Sequence, residues 1–312
     1  MVRVLFIALL FVLSLRPALA AEKLTVVLDW FINPDHGPIF VAQELGYFAA
    51  AGLEVTIIAP SDSNDPPKLV AAGRADLAIS YQPQLYMLVG EGLPLRRVGT
   101  LVATPLNSLV VLADGPVKTI ADLKGKRIGY SVAGFEDTML KAMLRKHGLA
   151  LTDVQLVNVN FALTAALMSG QVAGVIGAFR NFELTELQLH GKAGRAFFPE
   201  EEGVPAYDEL ILVAHQDRVN DAKIKAFLGA IEQAVQSMIN RPQETWALFI
   251  KGDRKNLDDE LNRRAWTDTL PRFAHSPAAL DRNRYARFAD FMQKEGLIKT
   301  ALPVERYAVE VR

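Results

Sequence analysis

The sequence predicts an α/β protein of two lobes joined by two crossover segments. Three observations predict it. Short apolar runs alternate with helical segments in a β-α-β-α-β order, the pattern of a parallel sheet with helices on its faces. That order restarts once, near residue 109. A long, mostly helical stretch follows residue 214 and is long enough to pack back on the first unit.

In the first unit, residues 24–28 (LTVVL) read as a strand and 29–38 as a turn-rich connection. Pro38 suits the first position of a helix, where its missing N–H costs nothing, so 39–47 reads as a helix. Gly52 ends the connection, 53–59 (LEVTIIA) is a second strand, and 65–72 is a helix stopped by Gly73. Residues 75–80 (ADLAIS) make a third strand.

The second unit offers strands at 109–113, 126–130, 154–159 and 172–178. Between them lie a helical turn at 119–123 and helices at 136–147, 163–168 and 181–189. The helix at 136–147 is closed by Gly148 and turns Met139, Leu140, Met143 and Leu144 inward. After an apolar run at 209–214, Asn220 or Asp221 can cap a helix through Met238, Pro242 starts another, and 277–295 carries a last one. The expected division is residues 21–110 with 213–312 for lobe 1 and 111–212 for lobe 2. Two crossings make a hinge that opens and closes. The cleft at the strand ends is where this architecture binds ligands.

Residues 1–20 read as a signal peptide. Arg3 gives a positive start, residues 4–15 are almost wholly apolar, and Ala18 and Ala20 form a small-residue cleavage site. The apolar run is shorter than the ~20 residues a spanning helix needs. Removing the segment leaves roughly 290 residues, enough for two domains of ~100–200 residues. The expected location is the periplasm. The chain has no cysteine, which excludes disulfides, thiolate metal sites, a cysteine nucleophile and a cysteine-borne lipid anchor. Its formal net charge of −1 carries no basic stripe of the kind nucleic acid requires. A monomer is expected.

Enzyme signatures are poor. His36, His147, His190, His215 and His275 are scattered, with no H-E-x-x-H pair and no phosphate-binding G-x-x-x-x-G-K-[ST] loop. There is no G-x-S-x-G elbow. No catalytic residue, metal or cofactor is expected.

Two clusters stand out instead. LDWFINPDHGPIF (residues 28–40) lies after a strand and before a helix, so it should face the cleft. It supplies the Trp30 ring with Asn33, Asp35 and His36 beside it. Trp30 can also fill a core gap, Asn33 and Asp35 can simply make the turn, and His36 can be a satisfied structural histidine. GAFRNFELTEL (residues 177–187) occupies the same kind of position in the other lobe. It supplies the Phe179 and Phe182 rings, Arg180, Asn181 and Glu183. Asn181 can be only a helix cap, and Glu183 only a carboxylate favoured by the helix dipole. Together the clusters place rings and polar groups on both sides of one cleft, which suits a flat heteroaromatic solute. Each ring–ring contact is worth ~0.5–1.5 kcal/mol beyond burial. Minor candidates are Tyr81 and Gln82 after the third strand, Ser131, Phe135 and Glu136 after the 126–130 strand, Ser61 to Asn64, and Asn107 with Ser108.

LDWFINPDHGPIFVAQELGYFAAAGLEV resembles the opening of a family joining alkanesulfonate-binding (SsuA-like) proteins to thiamine pyrimidine synthases. GAFRNFEL resembles the second-lobe motif of the periplasmic pyrimidine-precursor binding proteins of thiamine salvage (ThiY-like). DLKGKRIGY is typical of the wider superfamily. The resemblance implies a type II periplasmic binding protein, or Venus-flytrap, fold and a formylaminopyrimidine-like ligand. It also implies an ABC importer whose permease and ATPase are separate chains. By the same resemblance Trp30 and Phe179 stack on the pyrimidine, while Asn33, Asn181 and Glu183 hydrogen-bond to it. His36 stands where the related synthases also carry a histidine.

Two rival readings remain. A synthase-like enzyme would use a lysine and a histidine just after the third strand, where this chain reads Ser80, Tyr81, Gln82, Pro83 and Gln84. A different solute, such as a sulfonate or a flavin precursor, is the other. A sulfonate site would lean on an arginine, and Arg180 is the candidate.

Overall fold

The computed structural model describes residues 21–311. The segment read as a signal peptide lies outside them. Two five-stranded sheets carry the fold. The chain lays down β1 (Glu22–Val27), β2 (Leu53–Ile58), β3 (Leu77–Ser80) and β4 (Leu95–Val102) in the first sheet. It then crosses over. In the second sheet it forms β5 (Asn107–Leu112), β6 (Arg127–Tyr130), β7 (Gln155–Asn158), β8 (Gly174–Phe179) and β9 (Gly194–Phe197). It returns to place β10 (Leu210–His215) in the first sheet.

The two sheets repeat one plan. Their orders are β2-β1-β3-β10-β4 and β7-β6-β8-β5-β9. Each has three parallel strands, beside which the strand arriving from a crossing runs antiparallel. Helices α1 (Gly37–Glu44), α2 (Tyr47–Ala50), α3 (Pro66–Ala71) and α4 (Gln82–Gly90) connect the first-sheet strands. In the second lobe, α5 (Glu136–Lys146), α6 (Leu163–Met168) and α7 (Glu183–Leu189) do the same. The tail adds α8 (Ala222–Asn240), α9 (Pro242–Phe249), α10 (Glu260–Thr269), α11 (Arg282–Lys294) and α12 (Val304–Tyr307). Helix α8 packs on α1 and α2, so the tail belongs to the first lobe. Among the described residues no helix is long and apolar enough to cross a membrane.

The expected division at 110/111 and 212/213 cuts two strands. β5 lies wholly in the second sheet and β10 wholly in the first. The true crossings are 103–106 and 198–209, the stretches between those strands. They contain Pro105 and Pro205, which lack the N–H a ladder needs. Glu209 ties them together by accepting the backbone N–H groups of Leu106 at 2.6 Å and Asn107 at 2.9 Å.

Strand β4 escapes a sequence reading because it carries Arg96 and Arg97. Arg97 is fully buried and acts as a rivet. Its guanidinium donates to the carbonyls of Pro277 at 3.0 Å, Ala279 at 2.5 Å and Val309 at 3.3 Å, and to the Thr100 hydroxyl at 2.7 Å. Thr100 in turn donates to Asp208 at 2.8 Å, which also pairs with Arg284 at 2.5 Å. Removing a buried donor leaves its acceptors unsatisfied, at ~1–3 kcal/mol each. Arg97→Met is therefore expected to lower unfolding free energy by about 3 kcal/mol or more. Urea denaturation with an unchanged m-value checks it.

Candidate functional site

The lobes meet around a cavity at their strand ends. One wall grows from the turn after β1. Asn33 opens it: its side-chain oxygen accepts the Asp35 N–H at 2.9 Å, and its own N–H donates to His36 Nδ1 at 3.3 Å. With Nδ1 accepting, the ring proton sits on Nε2 and is donated to Asp29 at 2.9 Å. The other Asp29 oxygen accepts the Tyr81 hydroxyl at 2.7 Å. Asp29 thus joins the ends of β1 and β3, and both imidazole nitrogens are engaged. His36 shapes the wall; it has no free nitrogen to give a ligand.

The opposite wall is the turn from β8 into α7. The Glu183 carboxyl accepts the Phe179 N–H at 2.6 Å and so fixes the turn beneath the Phe179 ring. Burial pushes the Glu183 carboxyl up to about 8, so at neutral pH it is mostly protonated. Beside it Glu136 accepts the Ser131 N–H at 2.6 Å, and burial raises its carboxyl well above the usual range. Gly177 lies directly under the Glu136 carboxyl at φ +99°; a side chain there would collide with it.

Aromatic contacts seal the joint between lobes. Trp30 meets Phe161 edge-on, with centroids 4.6 Å apart at 78°. Phe31 lies 6.0 Å from Phe182, and Tyr81 stacks on Phe135 at 4.6 Å and 17°. Polar contacts cross as well. Asn64 accepts the Ala133 N–H at 2.8 Å. Asp35 accepts from the Asn181 amide at 2.7 Å and the Thr269 hydroxyl at 2.6 Å. Burial moves the Asp35 carboxyl up to about 6, against the pull of those hydrogen bonds.

Six of the expected site residues share this cavity: Trp30, Asn33, His36, Tyr81, Phe179 and Glu183. Asn181 does not line it; its amide is spent on Asp35 and Thr269 across the cleft. Asn33 and Tyr81 line the cavity with polar atoms already engaged in the turn. Arg180 is turned away, paired with Glu200 at 2.6 Å and lying 4.1 Å over the Phe198 ring. Sequence reasoning gave no role to Asp29, left Asp35 between cleft contact and turn chemistry, and ranked Glu136 as minor. Their shared signal is an acidic residue in the stretch between a strand end and the first turn of the next helix. Phe161 had no such signal, because Asn160, in the left-handed region at φ +47°, turns the chain just before it.

Four lining residues carry carboxyl groups (Asp29, Asp35, Glu136 and Glu183), and none of the lining residues is lysine or arginine. Among the described residues no cluster of ligating side chains could hold a metal ion.

A two-lobed α/β frame with its cavity at the strand ends between lobes is the periplasmic-binding-protein fold. The alkanesulfonate-binding protein SsuA from Xanthomonas axonopodis pv. citri, solved bound to MOPS, superimposes with a TM-score of 0.72. It is 17% identical, and the match covers 93% of this chain and 99% of that one. The profile of the NMT1/THI5 like family matches residues 33–245, and the chain belongs to that family. A putative thiamine biosynthesis protein of Haemophilus influenzae is 55% identical over 95% of this chain and 94% of its own length. A formylaminopyrimidine-binding protein of Halalkalibacterium halodurans is 35% identical over 77% and 75%. A 4-amino-5-hydroxymethyl-2-methylpyrimidine phosphate synthase of Schizosaccharomyces pombe is 26% identical over 90% and 83%.

The raised carboxyls predict an unusual pH profile for the ligand-free protein. Asp35, Glu209 and Glu183 sit near 6, 7 and 8, against ordinary values of 3.8 for Asp and 4.5 for Glu. A carboxyl raised by folding binds its proton more tightly in the native state, so its contribution to stability is full below the unfolded value. It is lost as pH rises through the folded one. The melting temperature should therefore fall between pH 5 and 8.5, and Glu183→Gln should flatten the fall. Each tenfold change in acid strength corresponds to ~1.4 kcal/mol. Calorimetric scans of both proteins across that range check it.

Proposed function

We propose that this chain is the periplasmic solute-binding component of an ABC importer and that its interlobe cavity takes a thiamine-related aminopyrimidine of the formylaminopyrimidine kind. Glu183 carries the reading: a buried, protonated carboxyl in a cavity lined by Trp30 and Phe179. A protonated carboxyl offers one O–H donor and one acceptor on a single edge. A 4-aminopyrimidine offers the reciprocal pair, a ring nitrogen beside an amino group. The two aromatic residues supply faces for stacking on the flat ring. Resemblance to the Halalkalibacterium formylaminopyrimidine-binding protein supports the same ligand class.

The leader-like start, with Arg3, the apolar run and Ala18 and Ala20, supports export. A monomer without a cysteine for a lipid anchor would carry its solute freely to a permease and ATPase on separate chains.

The rival readings fare worse on specific observations. A sulfonate would enter a cavity with four carboxyl-bearing residues and no cationic side chain, and Arg180 is committed elsewhere. A synthase dependent on a lysine Schiff base would need a lysine in the lining, and none of the lining residues is one. The binding reading is therefore preferred to the enzyme reading.

A thermal-shift and calorimetry panel of formylaminopyrimidine, thiamine, a flavin precursor, an alkanesulfonate and pyridoxal phosphate tests the proposal. Formylaminopyrimidine at a hundred times its dissociation constant should stabilise the protein by ~2.7 kcal/mol. The sulfonate should do nothing, and pyridoxal phosphate should give no Schiff-base band. Trp30→Ala and Glu183→Ala should each weaken pyrimidine binding at least tenfold, with Glu183→Gln retaining more affinity than Glu183→Ala. Sulfonate binding with no pyrimidine binding would defeat the reading.

A further inference from the structure

Asp35 is left over once the proposed ligand contacts are assigned. It is 2% exposed and lines the cavity, one of four carboxyl-bearing residues there. Its Oδ1 is saturated: it accepts from Asn181 Nδ2 at 2.7 Å and from Thr269 Oγ1 at 2.6 Å. Its Oδ2 is buried with no hydrogen-bond partner. Asn181 Oδ1 is also buried and unpartnered, but Asn181 does not line the cavity. A carboxyl oxygen left unpaired in the interior is costly, and native proteins rarely keep one without a use.

The two oxygens belong to different parts of the molecule's work. Asn181 follows β8 in the second lobe, whereas Asp35 and Thr269 belong to the first. The Asn181 contact to Oδ1 is therefore a bond between lobes. Oδ2 is the unspent oxygen of a residue that lines the cavity. One carboxyl group thus touches both the closure contact and the binding space.

We infer that Asp35 is a second recognition residue, whose Oδ2 accepts a hydrogen bond from a side-chain N–H of the bound pyrimidine while Oδ1 holds Asn181 and keeps the lobes closed. The inference rests on the aminopyrimidine reading. There the ring amino group faces Glu183, so the donor left for Asp35 is the N–H of the substituent on the ring. The preferred ligand class narrows to aminopyrimidines with a second, amide or amine, donor. An ester in that place has no donor to offer Oδ2. The same residue links recognition to closure, because the ligand and Asn181 bond to one rigid group.

The test uses two ligands, formylaminopyrimidine and its formyl ester, in which oxygen replaces the side-chain N–H. Calorimetry on wild type should give at least a tenfold loss for the ester. Asp35→Asn keeps an oxygen for Asn181 and Thr269 but presents an NH2 where Oδ2 stood. It should weaken the amide ligand at least tenfold and the ester less than threefold. Asn181→Ala leaves Oδ2 in place. It should reduce the ligand-induced contraction seen by small-angle scattering, while still preferring the amide ligand. Equal loss for both ligands in Asp35→Asn, or no preference in wild type, overturns the role of Asp35 and leaves pyrimidine binding standing. Wild type binding neither ligand removes the pyrimidine reading and this inference together. Should Asp35→Asn not fold, the wild-type ligand comparison alone decides.

Discussion

The structure depends on burying acidic groups at the joint between two lobes. Asp29, Asp35, Glu136 and Glu183 line one cavity, and each has a structural partner that holds it there. Asp29 ties β1 to β3 through His36 and Tyr81. Glu136 and Glu183 each accept a backbone N–H at a turn after a second-sheet strand. Asp35 reaches across to Asn181. Burial, with no lysine or arginine in the lining, raises the Glu136 carboxyl well above the usual range and the Glu183 carboxyl to about 8. A protonated carboxyl is a directional reader of hydrogen-bond patterns, where a carboxylate would be only an acceptor.

The rings do the complementary work. Trp30, Phe31, Tyr81, Phe135, Phe161 and Phe182 pair across the lobe boundary, closing the cavity while leaving Trp30 and Phe179 in its lining. The frame is shared with a protein that binds sulfonates. This lining carries four carboxyl-bearing residues and no lysine or arginine. Fold and ligand class are therefore separable, and the second is read from the lining alone.

Much of this was legible in the sequence. Strand ends followed by helix starts mark cleft positions, so Trp30, Phe179 and Glu183 are visible from local pattern. The alternation of strands and helices gives both lobes, and the repeated order in each sheet extends the same logic. What was not legible depends on partners distant in sequence. Asn181 looks like a ligand contact because nothing local reveals Asp35, 146 residues away. Arg180 looks like an anion contact until Glu200 and Phe198 are seen to claim it. The lobe boundaries were misplaced because β5 and β10 are apolar runs at the crossings. They belong to the sheets, and only the proline-bearing stretches before them lack a ladder. Strand β4 was hidden by Arg97, a charge whose buried partners come from the tail.

The most direct measurement is a crystal structure of the protein with formylaminopyrimidine bound. The account predicts the ring held between the Trp30 indole and the Phe179 ring, with its amino group and adjacent ring nitrogen within hydrogen-bond distance of Glu183. A ligand lodged outside this cavity, or one whose ring contacts neither aromatic side chain, would contradict it.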